Sequence, residues 1–193
     1  LWLGWFGFNG ASQLALGTYG DANAVATIFA NTCMAAAGGV IAPMILSRLM
    51  DGKTDIGATL NGAIAGLVSI TAEPLTPTIG EAIIIGGVGG IICMFGMKLL
   101  DKLKIDDVVG AIPAHLFAGI WGTLIVPFTN PDTSYGIQII GIQAFGVFTV
   151  IGSTIVWMLL KSTVGIRATV EDEEYGLDHT ESVQIGLEYV SKK

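Results

Sequence analysis

Long apolar stretches separated by short, turn-rich connectors constrain this chain more than any other feature. A bilayer's hydrocarbon core is about 30 Å thick and takes roughly 20 residues of helix to cross. Six stretches reach or approach that length, near Leu1 to Leu16, Asn23 to Leu46, Thr54 to Thr71, Thr78 to Leu99, Val108 to Phe128 and Ile137 to Leu160. Between them lie connectors such as Gly17-Thr18-Tyr19-Gly20-Asp21, Asp51-Gly52-Lys53, Glu73-Pro74-Leu75-Thr76-Pro77 and Thr129-Asn130-Pro131-Asp132, built from helix-breaking residues. Only 13% of residues are charged, half the share of a typical soluble domain, which is about 25%. The pattern predicts an all-α, polytopic transmembrane bundle of six spans in a lipid bilayer.

The basic residues test that count. Arg48 and Lys53 flank the second connector, Lys98, Lys102 and Lys104 the fourth, and Lys161, Arg167, Lys192 and Lys193 follow the last span. Six spans put all nine on one side, and a wrong count scatters them. Short cytoplasmic loops are enriched in Lys and Arg, so both ends of the chain are expected in the cytoplasm. The expected organisation is a transmembrane half-domain over residues 1–165 and an acidic cytoplasmic tail over 166–193. The first span opens on Leu1-Trp2-Leu3-Gly4 with no Met and no basic flank, like a helix entered part-way, and reads as part of a longer protein.

Several function classes find no footing. The run Gly86-Gly87-Val88-Gly89-Gly90 lacks the Lys-Ser/Thr ending of a phosphate loop and lies within a span. It reads as helix packing, as do Gly62-Ala63-Ile64-Ala65-Gly66 and Ala35-Ala36-Ala37-Gly38-Gly39, because small residues let backbones approach closely in lipid. Cys33 and Cys93 have no zinc or redox spacing, and there is no Gly-x-Ser-x-Gly elbow. Neither an enzyme nor a cofactor or metal site is expected. A net charge of −7, drawn largely from Glu171, Asp172, Glu173, Glu174, Asp178, Glu181 and Glu188, argues against nucleic acid.

His115 stands out inside the fifth stretch. An ionisable side chain at bilayer depth is costly and tends to face a bundle interior or a conduction path. Taken alone it admits two readings, a satisfied structural histidine and a pathway residue. Pro113, two residues earlier, frees a backbone carbonyl about four residues upstream and favours a kink beside a cavity. Asp106 and Asp107 precede the span and fit capping of its N-terminus. Near the start, Trp5 and Phe8 share a helix face that continues to Ser12. Such rings serve as an interfacial belt, or attract a small cation that a hydroxyl then binds.

Gly4-Trp5-Phe6-Gly7-Phe8-Asn9 with Ser12, Gly62 through Thr71, Asp106-Asp107 followed by Gly110-Ala111-Ile112-Pro113-Ala114-His115, and Gly119-Ile120-Trp121-Gly122-Thr123 together resemble the ammonium transporter family (Amt/Mep/Rh). The segment Gly165-Ile166-Arg167, Glu171-Asp172-Glu173 and Gly176-Leu177-Asp178 is similar to that family's cytoplasmic C-terminal region. The resemblance runs in order over nearly the whole chain. It implies half of an eleven-helix, pseudo-twofold channel fold, helices six to eleven, in a homotrimer with one pore per subunit. It further implies that His115 is the second of two pore histidines, Phe8 one of two gate phenylalanines, Trp5 a pore-lining tryptophan and Ser12 the hydroxyl of an outer ammonium site. Thr71 is implied to line the lumen.

Two departures accompany the resemblance. Gly110 stands where some members carry Asp, and His179-Thr180-Glu181-Ser182 replaces the family's Glu-His-Gly. The family's first five helices are not in this sequence, so a closed lumen needs a companion half. The implied function is transport of ammonium or ammonia past an intramembrane imidazole, in a bacterial or archaeal inner membrane. A tail under the trimer and a PII-type signalling protein at the cytoplasmic face are the implied regulators. The alternatives are a truncated or split-gene subunit with an assembly or regulatory role, and a neutral-gas channel of the Rh type.

Overall fold

A computed structural model describes residues 1–177, and all regular structure among them is helical. The chain divides into two compact units, Leu1–Gln143 and a second that begins at Ala144, with the boundary inside one long helix.

The first unit contains α1 (Trp2–Ala11), α2 (Tyr19–Asp51), α3 (Ile56–Thr71), α4 (Ile79–Leu103), a π-helical turn (Ile112–Phe117) that runs directly into α5 (Ala118–Thr129), and the start of α6 (Tyr135–Thr163). Helices α2, α4, α6 and the continuous segment Ile112–Thr129 are long and apolar enough to cross a membrane, and α3 is a shorter apolar helix. This is a multi-pass membrane protein. At 1.5 Å per residue, the 16 residues of α3 extend about 24 Å.

Local chemistry sets the ends. Thr18 Oγ1 accepts from Asp21 N at 3.1 Å while Asp21 Oδ2 accepts from Thr18 N at 3.0 Å, a reciprocal cap that starts α2 four residues earlier than its apolar run. Thr78 and Glu81 start α4 in the same way, and Asp55 Oδ1 caps Ala58 N of α3 at 2.9 Å. Gly52, at φ 72°, ends α2. Helix α1 stops at Ala11, well short of the apolar run that reaches Leu16, because Leu14 takes a left-handed conformation at φ 61°.

Helices α2, α3 and α4 pack mutually and form the centre of this unit. Their seam is made by glycine. A Cβ on Gly39 would collide with Gly62 O, one on Gly66 with Ala35 O, and one on Gly86 with the Ala35 backbone. Backbones this close maximise dispersion contact where lipid offers no hydrophobic drive to associate. Ala35, Ala36, Ala65, Leu67, Ile70, Ala82 and Cys93 are buried around them. The connector between α3 and α4 is tied to α2 by Asn31, whose amide nitrogen donates to Pro74 O at 3.0 Å and Pro77 O at 2.7 Å.

In the second unit α6 continues to Thr163, and the six-residue α7 (Val170–Tyr175) is capped by Thr169. Arg167 Nε and Nη2 donate to the two carboxylate oxygens of Glu173 at 2.8 and 3.0 Å. That pairing holds the Glu173 carboxyl below its ordinary range, chiefly through the hydrogen bonds. Asp178, His179, Thr180, Glu181, Ser182 and Glu188 lie outside the described residues.

Candidate pore-lining groove

Three elements converge on one face of the first unit. Helix α1 is too short to be held by its own ladder. It is fixed to α2 by Asn9 Nδ2, which donates to Thr32 Oγ1 at 3.0 Å in a buried setting, and to α3 by Trp5 Nε1, which donates to Thr71 Oγ1 at 2.7 Å. Phe6 adds an edge-to-face contact with Phe29 of α2, ring centroids 5.4 Å apart. Trp5 and Phe8 both face the groove that Thr71 also lines.

The third element carries His115. Asp107 caps this segment with both oxygens, Oδ1 accepting from Ala111 N at 2.9 Å and Oδ2 from Ile112 N at 2.8 Å. Pro113 has no N–H to give, and the helix widens into a π-helical turn over Ile112–Phe117 before resuming α geometry. Asp106 is exposed. The sequence did not show that the disturbance is a π turn instead of a simple kink.

Glycines let this turn approach its neighbours. Gly96 of α4 receives Pro113 and Phe117, whose atoms would stand 2.8 and 2.7 Å from an added Cβ. Gly122 packs on the Ser69 backbone, and the buried Ser69 hydroxyl donates to Ala65 O at 2.7 Å. Gly110 has φ 71°, and a Cβ there would meet Asn61 Nδ2 at 3.0 Å and Met97 at 3.3 Å. A residue with a Cβ is doubly penalised at that position, which gives the departure to glycine a physical basis in this chain.

Trp5, Phe8, Val68, Thr71, Ala72, His115, Gly119 and Thr123 line a single groove of about 410 Å³. The Trp5 and His115 rings lie nearly parallel, 24° apart with centroids separated by 6.5 Å. Phe8 tilts at 59° to Trp5 at 5.8 Å. His115 and Phe8 are exposed, so the groove is open on one side.

Its hydrogen-bonding capacity is unequal. Thr71 Oγ1 donates to Leu67 O at 2.7 Å, Thr123 Oγ1 donates to Gly119 O at 2.9 Å, and the Trp5 N–H is committed to Thr71. Among the described residues, none hydrogen-bonds the His115 imidazole. An apolar wall thus offers one side chain able to accept or donate a proton.

Four of the sequence candidates, Trp5, Phe8, Thr71 and His115, meet in this groove. Ser12 lies outside its lining, at the C-terminal end of α1, with its hydroxyl donated to Phe8 O at 2.8 Å. Sequence reasoning overlooked Val68, Ala72, Gly119 and Thr123. Helical spacing carried the signal: Val68 lies three residues before Thr71, and Gly119 and Thr123 lie four and eight after His115.

The model of the Ammonium Transporter Family matches residues 1–185. Among curated proteins, the chain is similar to the ammonium transporter Amt2 of Archaeoglobus fulgidus, 36% identical over 96% of this chain and 43% of that protein. It is also similar to an ammonium transporter of Mycobacterium tuberculosis, 30% identical over 98% of this chain and 43% of that protein. Among solved structures, a Sensor Amt Protein superposes with a TM-score of 0.84 at 30% identity, covering 94% of this chain and 46% of that one. Mep2 of Candida albicans superposes with a TM-score of 0.77 at 26% identity, covering 89% and 42%. The chain spans less than half the length of these relatives. By the extent of the family match and the agreement in fold, it belongs to the ammonium transporter family.

Proposed function

We propose that this chain forms one wall of an ammonium-conducting pore, and that the groove holding His115 is the lumen side of that wall. The observation that carries the reading is an imidazole with no hydrogen-bond partner among the described residues, set in a groove whose other donors are already committed. Desolvating a whole ammonium ion in an apolar lumen costs many kcal/mol, whereas neutral ammonia is small and hydrogen-bonds readily. In this scheme the Trp5 and Phe8 ring faces attract ammonium, with the Ser12 hydroxyl oxygen one turn beyond Phe8 as a further ligand at the mouth. Ammonium gives up its proton to water at that mouth, and neutral ammonia passes the His115 imidazole, which can hydrogen-bond it. Phe8 acts as a gate ring and Thr71 borders the path.

The open side of the groove implies a second wall. The reading therefore includes a companion half, supplied by the rest of the family fold, and assembly as a homotrimer in a bacterial or archaeal inner membrane. The tail is cytoplasmic in this scheme, and the basic connectors support that orientation. A PII-type signalling protein is the regulator proposed for the cytoplasmic face. A second reading is a truncated or split-gene subunit that assembles or regulates without transport of its own, favoured by the groove being open on one side.

One experiment separates them. The native gene product is expressed in a host stripped of its own ammonium transporters, and growth is followed on limiting ammonium. Growth restored by the gene product supports the pore. Protein present in the membrane without growth supports the subunit.

A further inference from the structure

We infer that Thr71 serves the pathway as a positioning residue that hangs the Trp5 indole parallel to His115, and that it does not itself bind the substrate; this rests on the pore reading above. The Thr71 hydroxyl is used in both directions. Its hydrogen goes to Leu67 O one turn back in α3, at 2.7 Å, which fixes where the oxygen lone pairs point. One lone pair then accepts the Trp5 N–H from α1, also at 2.7 Å. A group donating to backbone and accepting an indole has little left with which to recognise a small solute.

The same bond decides what Trp5 presents. An indole N–H at membrane depth needs a partner, and without Thr71 the ring turns about its side-chain torsions to find another. With Thr71 in place the N–H points into the protein, and the ring lies 24° from the His115 plane with centroids 6.5 Å apart. The groove therefore receives an indole face and no indole donor. A π face attracts a cation by its quadrupole but cannot donate a hydrogen bond to the ammonia nitrogen. The lone pair of ammonia is left for the imidazole. Thr71 also joins helix ends distant in sequence, since Trp5 and Thr71 lie 66 residues apart. It couples the position of α1 to the His115 wall.

Thr71→Val keeps the shape and removes the hydroxyl, while Thr71→Ser keeps the hydroxyl. The native gene product carries each, with ¹⁵N-labelled tryptophan, and the Trp5 indole N–H resonance is identified by its loss in Trp5→Phe. In Thr71→Val the resonance is expected to move upfield as its hydrogen bond is lost. Maximal ammonium uptake is expected to fall roughly fivefold, the scale of one net hydrogen bond, with membrane yield unchanged. Thr71→Ser is expected to restore both. A Thr71→Val protein with an unmoved resonance, or with a moved resonance and full uptake, overturns the inference. His115→Ala run in parallel locates the failure: if it abolishes uptake while Thr71→Val leaves uptake unchanged, the positioning role alone is lost. If His115→Ala also transports normally, the pore reading falls and this role falls with it.

Discussion

The two faces of α3 are built on opposite principles. On one, Gly62, Ala65, Gly66 and Ser69 pack against α2, α4 and α5 so closely that no added methyl fits beside Gly62 or Gly66. On the other, Val68 and Thr71 border an open groove where the rings of Trp5, Phe8 and His115 stand several ångströms apart. The packed face leaves no room for a Cβ at its glycines and holds the helices in one register. The groove face borders a space of about 410 Å³. One helix therefore separates a rigid scaffold from an open groove, and placement of the groove depends on the scaffold's tolerance for error, which is small.

Substitutions should divide along this line, those on the packed face altering stability and those on the groove altering uptake. Gly86→Leu drives a side chain into the Ala35 backbone. It should cost about 3 kcal/mol or more and remove most folded protein from the membrane, read by yield and thermal unfolding in detergent. Normal yield would show that the seam is looser than the backbone contacts imply. Trp5→Leu removes a ring face, and the half-saturating ammonium concentration should rise roughly tenfold for a cation–π term of this kind. Some loss of α1 anchoring accompanies it, so the comparison with Thr71→Val isolates the ring. Ser12→Leu should raise the half-saturating concentration by a few-fold or block flux with no change in yield; an unaltered uptake curve removes Ser12 from the route.

The smallest effect concerns α7, remote from this division. The Glu173 carboxyl is held low by its hydrogen bonds to Arg167. A depressed carboxyl stabilises the folded form above its unfolded value of about 4.3. That contribution is lost as pH falls through the lower folded value. Helical signal from residues 170–175 should therefore persist through the ordinary carboxylate range and fade only as pH falls below it, and Glu173→Gln should weaken it at neutral pH but not once Glu173 is protonated. Because the pair is exposed, uptake should not change.

Much of this was legible before any coordinates. Long apolar runs must be helical in a bilayer because every backbone polar group has to be satisfied internally, so α2, α4 and α6 follow from composition and length. Their ends were less visible, since Thr18 and Asp21 extend α2 through a cap that no hydropathy pattern registers. The individual candidates Trp5, Phe8, Thr71 and His115 came from residue chemistry and from family resemblance. Their meeting did not, because it depends on a hydrogen bond across 66 residues and on a π turn that shifts the register near His115. Gly96 and Gly110 illustrate the same limit. Each reads as a small residue in a small-residue chain, and its purpose appears only beside Pro113, Phe117, Asn61 and Met97.

We propose that the exposed imidazole of His115 faces the conduction path. The most direct test of this is ammonium uptake by the native gene product carrying His115→Ala, normalised to protein in the membrane and compared with the unaltered protein across pH. Since no other side chain among the described residues hydrogen-bonds the ring, removing it should leave yield and thermal stability within about 1 kcal/mol of the original. Uptake or its pH dependence should change sharply. Unchanged uptake at every pH, together with lost yield, would contradict the account and make His115 a structural histidine.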